Sequence, residues 1–424
     1  MKHKLLCVVL SGCLLLSGCR SGPSAEIPLD QPLSAPPRFT SYAGPILPLT
    51  ADGDGLTADR LVSADLSSGD GIAQVTDRYV LQNPGSADQA VRLFYPFRAP
   101  AGALDRYTPQ ATLDGAPVAG TVRLGGYRAT DSFDEVVTLL GDGTALQTAL
   151  ADTPVYRQAV YVYTFEDISF PADTYCSFEI PTNGRPFAAF GFGMGSTYYR
   201  ENGVQGFGLW SGEDGAYARV IALESLPDEA ALRFYSDPAR ERPLDEQGQG
   251  RVVRQPMSFA QAMEDCLSLY LAGRVDEIGS DETLLVRAVM TAAADTMLRD
   301  PAMLFGEGSL ESVFTAALST SRVNYVESEI SIPAGGSVTV CYAFQKDGSF
   351  DQTMRDETRN VYGFELATTS GSSLSFGQMH ASAKLPENCA PVWQQPELTL
   401  QSDGTAALSA DEPGYAAAFR FSLS

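Results

Sequence analysis

From Gln158 to Phe170 the chain carries apolar side chains on both faces of a period-two run, with Tyr161, Tyr163 and Phe165 on one face and Val160 and Val162 on the other. A strand of that kind belongs at the centre of a sheet, because neither face can be left to water. Alternation of the same period recurs on both sides of it. Val75, Tyr79 and Leu81 precede the turn Asn83-Pro84-Gly85-Ser86, and Val91, Leu93 and Tyr95 follow it, which predicts an antiparallel hairpin. Further strands are expected over 175–180, 187–192, 216–223, 231–235 and 250–255. Val338, Val340, Tyr342 and Phe344 resume the pattern, with hairpins over 361–385 and 397–423.

In between, the period becomes helical. Ser258-x-x-Gln261 is a capping box followed by Phe259, Met263, Cys266, Leu267 and Tyr270 at helical spacing. Ser280, with Asp281 and Glu282 in the first turn, opens a second helix, and Ser309 opens a third. Ser132-x-x-Glu135 marks a short helix ending at Gly141. One phrase occurs twice: Ile168-Ser169-Phe170-Pro171-Ala172-Asp173 returns as Ile330-Ser331-Ile332-Pro333-Ala334-Gly335. A strand, a Pro-led corner and a return strand suit the passage between the two sheets of a sandwich.

These patterns predict a mainly β (α+β) chain of antiparallel, Ig-like β-sandwich modules with a helical insertion. The expected divisions are a signal peptide (1–18), a Pro-rich tether (19–48), an N-terminal sandwich (49–130), a second β region with a short helix (131–257), the helical insertion (258–320) and a C-terminal β region (321–424) that completes the second sandwich. With 44% hydrophobic residues, the chain has enough apolar material for ordinary cores.

The N-terminus supplies an address. Lys2, His3 and Lys4 precede an apolar run from Leu5 to Leu16, too short to span a bilayer, and Leu16-Ser17-Gly18-Cys19 follows. This order resembles the signal peptide of bacterial lipoproteins, and the resemblance implies cleavage before Cys19 and acylation of that cysteine. It implies a protein held at the extracytoplasmic face of the cell membrane by lipid on Cys19, since several acyl chains on one residue anchor lastingly. The body, from Ser41-Tyr42-Ala43-Gly44-Pro45-Ile46-Leu47-Pro48-Leu49 onward, resembles surface lipoproteins of gut bacteria, which implies no particular activity. Tyr79-Val80-Leu81-Gln82-Asn83-Pro84, with Tyr95-Pro96-Phe97, is similar to extracellular β-sandwich modules.

Charge narrows the partners. A formal net charge of −23 repels phosphate backbones, so nucleic acid is not an expected partner. Removal of Lys2 and Lys4 with the signal peptide leaves Lys346 and Lys384 as the only lysines. The mature chain has one histidine, His380, on the polar phase of its strand, and contains no H-E-x-x-H, G-x-S-x-G or S-x-x-K motif. No catalytic residue, metal site or cofactor is therefore assigned. The acidic turn of Asp52, Asp54 and Asp59 is read as a turn rather than as a calcium loop, because it lacks the EF-hand spacing.

Two readings concern side-chain chemistry. Cys176 and Cys266 fall at apolar positions, whereas Cys341 and Cys389 are a candidate disulfide of the C-terminal β region. The aromatic and glycine-rich stretch from Phe187 to Trp210 is either sheet core or a binding platform, and Phe192, Tyr198, Tyr199 and Trp210 are its candidate ligand-contacting rings. The function expected from these features is non-enzymatic binding or scaffolding of a glycan, peptide or protein of the cell envelope. The alternative is a carboxylate-dependent hydrolase of wall polymer or glycan.

Overall fold

The structure, a computed structural model, describes residues 43–126, 136, 154–192, 197–209, 217–244, 248–272, 282–299, 305–356, 359–367, 371–386, 389–395, 399–400, 405–410 and 417–423. Cys19, most of the tether, Ser132, Glu135, Trp210 and Ser280 lie outside them. The chain is mainly β, built from several largely antiparallel sheets, and all described elements belong to one unit, Pro37–Ser424.

The alternation of Ile72–Gln82 buries Ala73, Val75, Asp77, Tyr79 and Leu81 on one face. This strand lies at the middle of an eight-stranded sheet, called the long sheet below, between Thr57–Asp65 and Ser337–Asp347. Facing it is a cap sheet whose central strands, Gln89–Pro100 and Ser321–Ile332, pair antiparallel from Pro100↔Ser321 to Gln89↔Ile332. Leu81, Val91, Leu93, Tyr95, Ile332 and Val340 fill the space between the two sheets. A four-stranded terminal sheet, which includes Arg359–Ala367 and Ala417–Leu423, packs through Phe364 against the other end of the same face, on Val62, Val75 and Ala381.

This arrangement corrects the expected domain plan. The first sandwich does not close before residue 130, and the strands after 320 do not complete a second sandwich with 131–257; Ser321–Ile332, Ser337–Asp347 and Ser375–Lys384 pair with the N-terminal strands. The span between Thr121–Arg123 and Ser321–Ile332 is an insertion into the first sandwich. Nor is 75–95 a hairpin, because Ile72–Gln82 and Gln89–Pro100 belong to opposing sheets. Asn83 makes that turn a corner. Its Nδ2 donates to the carbonyls of Ala87 (2.8 Å), Ile332 (3.2 Å) and Pro333 (3.2 Å), and its Oδ1 accepts from Gly85 N and Gln89 Nε2, both at 2.9 Å.

Within the insertion, Ala159–Ser169 is interior to a five-stranded inner sheet, as its two apolar faces require. Val160 and Val162 pack on helices Phe259–Ala272, Glu282–Arg299 and Leu310–Ser319 through Phe259, Met263, Leu285 and Phe314. Tyr163 and Phe165 pack on a four-stranded outer sheet through Cys176, Phe178 and Phe207. Ser258 caps the first of these helices, its Oγ accepting from Gln261 N at 3.2 Å. The repeated Pro-Ala-Asp/Gly phrase does turn the chain between facing sheets in both places. The third residue of each is left-handed, with φ of 63° at Asp173 and 61° at Gly335.

Two cations interrupt the apolar inner face of the long sheet. Arg60 is fully buried and grips Asp77 through Nε (3.0 Å) and Nη2 (2.7 Å). The hydroxyls of Tyr79 and Tyr95 donate to the same carboxylate, each at 2.9 Å. Burial pulls the Arg60 pKa down, but the Asp77 charge overrides it and holds the guanidinium above its ordinary value. Arg60 Nη2 also donates to the carbonyls of Ile46 (3.1 Å) and Leu47 (3.3 Å), and Leu49 N donates to Tyr79 Oη at 3.0 Å. Further back, Lys346 Nζ donates to Gly44 O at 2.6 Å and Ala43 O at 3.3 Å. The strap from Ala43 to Leu49, where the Pro-rich lead-in reaches the body, is thus fastened to the long sheet by two buried cations.

Candidate functional site

Most of the aromatic run is core. Phe187–Phe190 is an interior strand of the inner sheet with every residue buried. Phe192 is 7% exposed and lies against Phe207 (ring centroids 5.0 Å apart) and Phe165 (5.9 Å), so it is not available to a ligand. Gly191, with φ of 80°, sits where an added Cβ would meet the Ala218 backbone at 2.8 Å. Tyr198 and Tyr199 lie instead on the edge strand Thr197–Tyr199 of the outer sheet. Tyr199 is 58% exposed and its hydroxyl accepts from Gln205 Nε2 at 3.2 Å. Consecutive strand residues point to opposite sides, so these two rings do not form one plate.

Tyr198 belongs to a polar cluster on the outward face of that sheet. Its ring lies across Gly206, where a Cβ would approach within 2.2 Å. Its hydroxyl donates to Glu179 and lies 3.1 Å from Ser177 Oγ. Tyr235 donates to the same Glu179 oxygen, and Arg200 Nη2 does so at 3.1 Å. Arg200 stands over the rings of Tyr198 and Tyr235, at 5.4 and 5.2 Å from their centroids, and Arg240 stands 4.6 Å from that of Tyr198. Burial, reinforced by the Glu179 bonds, raises the pKa of both tyrosines, so they remain neutral donors. Glu179 is 8% exposed and accepts three donors on one oxygen. The cluster fastens the edge strand and the loop carrying Arg240 to the sheet, and its carboxylate is engaged by that task.

Other candidates resolve simply. Cys341 is a free, half-buried thiol in the long sheet, and Cys389 lies on Cys389–Gln395 of the terminal sheet, so the expected bridge is not formed. Cys176 and Cys266 are free and buried, and burial pushes each thiol up to about 12, which leaves them as small apolar side chains. His380 is exposed on the long sheet. Asp52 is paired with Arg92 (2.8 Å) and Asp59 accepts from Gln378 N (2.9 Å), so both serve as local ties. Among the described residues no group of His, Cys, Asp and Glu is arranged to hold a metal ion.

A different place has the geometry of a site. The strap, the cap-sheet strand through Arg98, and residues Phe344 to Gly348 enclose a cleft of about 280 Å³. Lys346 is 9% exposed and lines it from one side, with its pKa lowered to about 8 by burial and by the neighbouring Arg98 charge. Arg98 lines it from the other. Tyr107 closes one wall and donates to Asp347 Oδ2 at 2.6 Å; burial and this bond push the phenol up to about 12. Sequence reasoning passed over both cations. The legible signal was phase: Lys346 continues the apolar series Val338, Val340, Tyr342, Phe344, where a charge has no place unless it is held. Compared with known proteins, the chain matches no family model and no curated protein.

Proposed function

We propose that this protein is a lipid-anchored, non-enzymatic binding protein of the extracytoplasmic face of the cell membrane, which takes a component of the envelope into the cleft beside its strap. The observation that carries this reading is the cleft itself, with the buried Lys346 and the half-buried Arg98 in its walls. Pockets with apolar walls and a few convergent polar groups are where ligands orient. The lipoprotein-like start supports the anchor, and the many prolines between Cys19 and the strap suit a spacer that keeps the body clear of the lipid. The acidic body stays soluble at that distance.

Two measurements test it. Cys19→Ala should move the protein from the detergent phase to the aqueous phase; continued partition into detergent overturns the anchor. Native mass spectrometry of protein drawn gently from its membranes should show an added small-molecule mass. Ser321→Trp, which plugs the cleft from an exposed rim position, should abolish it. The same spectrum from both proteins overturns the cleft as the binding place, and recovery of the ligand in a cleaved form overturns the non-enzymatic reading.

A further inference from the structure

We propose that the cleft between Arg98 and Lys346 is a carboxylate site, made for a monoanion with a compact apolar body. This rests on the reading above that the cleft is where ligand is held.

The argument begins with what the fold leaves unsatisfied. Arg98 Nε is shut off from solvent and has no hydrogen-bond partner. No described carboxylate lies within ion-pair distance of Arg98 or Lys346. Lys346 spends two of its three N–H donors on Gly44 O and Ala43 O, which orient the amine, and Glu365 and Asp347 act on its charge only from beyond ion-pair distance. In a chain with 52 acidic residues against 29 basic ones, two neighbouring cations with no acid in ion-pair contact run against the composition. Like charges in a partly desolvated place repel more strongly than in water, and an orphaned buried donor is itself costly. An anion in the cleft relieves the repulsion.

The place is also preformed. Gly44, with φ of 73°, lets the strap lie directly against the Arg98 side chain: a Cβ there would stand 2.7 Å from Nε. That contact and the Lys346 bonds hold both cations at the cleft wall. A guanidinium offers a planar fork of donors that matches a carboxylate, and the ammonium adds a point charge. Pro45, Pro96 and Phe344 line the remaining wall, which suits an apolar body. Asp347 lines the same space, and its negative charge disfavours a dianion such as phosphate.

The test uses the full-length protein in detergent and three probes: 3-phenylpropionate, its neutral amide, and inorganic phosphate. Calorimetry should show millimolar or tighter binding of the carboxylate, with the amide and phosphate each weaker by at least about tenfold. Arg98→Met should lose about tenfold or more, Arg98→Lys should recover part of it, and Ser321→Trp should abolish binding. The Arg98 Nε–H resonance of the wild-type protein should move on adding the carboxylate, a readout that does not depend on how the variants fold. Equal binding of carboxylate and amide, both lost in Ser321→Trp, overturns the carboxylate assignment and leaves the cleft as a binding place. Tighter binding of phosphate, no binding of the carboxylate, or binding unchanged by Ser321→Trp overturns the proposal.

Discussion

Replacing Asp77 by Asn keeps the shape of the side chain and removes its charge. In the wild-type protein the carboxylate accepts two bonds from Arg60 and one each from Tyr79 and Tyr95, all buried. An amide cannot accept all four, and the guanidinium is left charged in the interior. Removing one partner of a buried pair typically costs about 3–5 kcal/mol, a large part of an ordinary domain's stability.

The sharper test is the double replacement Arg60→Met with Asp77→Leu. Apolar replacement of a buried ion pair is often neutral or stabilising. Here it should not be, because the pair also serves groups outside itself. The carbonyls of Ile46 and Leu47 would lose Arg60, and the hydroxyl protons of Tyr79 and Tyr95 would lose Asp77. At about 1–3 kcal/mol for each orphaned buried group, even two or three of these four equal the cost of the single mutant. Adding Tyr95→Phe to the double mutant removes one of the orphans and should recover part of the loss, whereas Tyr79→Phe would strand Leu49 N in place of the hydroxyl it removes. Urea midpoints at constant slope measure this, and limited proteolysis around Ala43–Leu49 reports the strap separately. A double mutant within about 1 kcal/mol of wild type, with the strap still protected, would show that Arg60 is not what fastens it.

Three further outcomes follow from single observations. Lys346 has a folded pKa of about 8 against 10.5 for the free side chain, so between those values the unfolded chain holds a proton the folded one has released, and stability rises with pH. The difference in unfolding free energy between wild type and Lys346→Met should therefore shift toward wild type by about 2 kcal/mol from pH ~7 to ~9.5, and a flat difference refutes the burial of that charge. Gly206→Ala should cost about 1–3 kcal/mol, because the Cβ would enter the Tyr198 ring; the Tyr198→Ala background should abolish that cost. Asp173→Gly should raise stability by up to about 1 kcal/mol, read as a shift in Tm, since glycine carries no penalty at φ of 63°.

What the sequence made legible is what depends on local period. The two apolar faces of Ala159–Ser169, the cap at Ser258 and the change to helical spacing after it are all properties of a dozen neighbouring residues, and each is present in the fold. The doubled corner was legible for a related reason: Pro fixes one φ and the third residue must turn left-handed, so Asp173 and Gly335 can be equated without knowing which sheets they join. Pairing partners are not local. Val91 and Ile330 lie opposite each other across the cap sheet with the whole insertion between them in sequence, and nothing in either strand specifies the other. Asn83-Pro84-Gly85 shows the same limit at short range. Its turn residues suit a hairpin or a corner equally, and the choice is made by the carbonyls of Ile332 and Pro333, which arrive from the far end of the chain.

The cleft was not legible for a physical reason of the same kind. Aromatic rings draw notice as chemistry, yet Phe192 fills a core, Cys176 and Cys266 pack as the small hydrophobes their phase implied, and Glu179 is saturated by two tyrosines and an arginine. Each has its demand met within the fold. Arg60 and Lys346 share an uncommon position, a cation on the apolar phase of an interior strand, and they part company over their partners: Arg60 is ion-paired with Asp77, whereas Lys346 bonds carbonyls, has no carboxylate within ion-pair distance and stands near a second cation. A buried charge with its counter-ion closes a core. A buried charge without one, set in the wall of an open cleft, leaves a demand that a core residue would not leave, and for that reason Lys346 and Arg98, rather than the conspicuous rings, mark the place to look for a ligand.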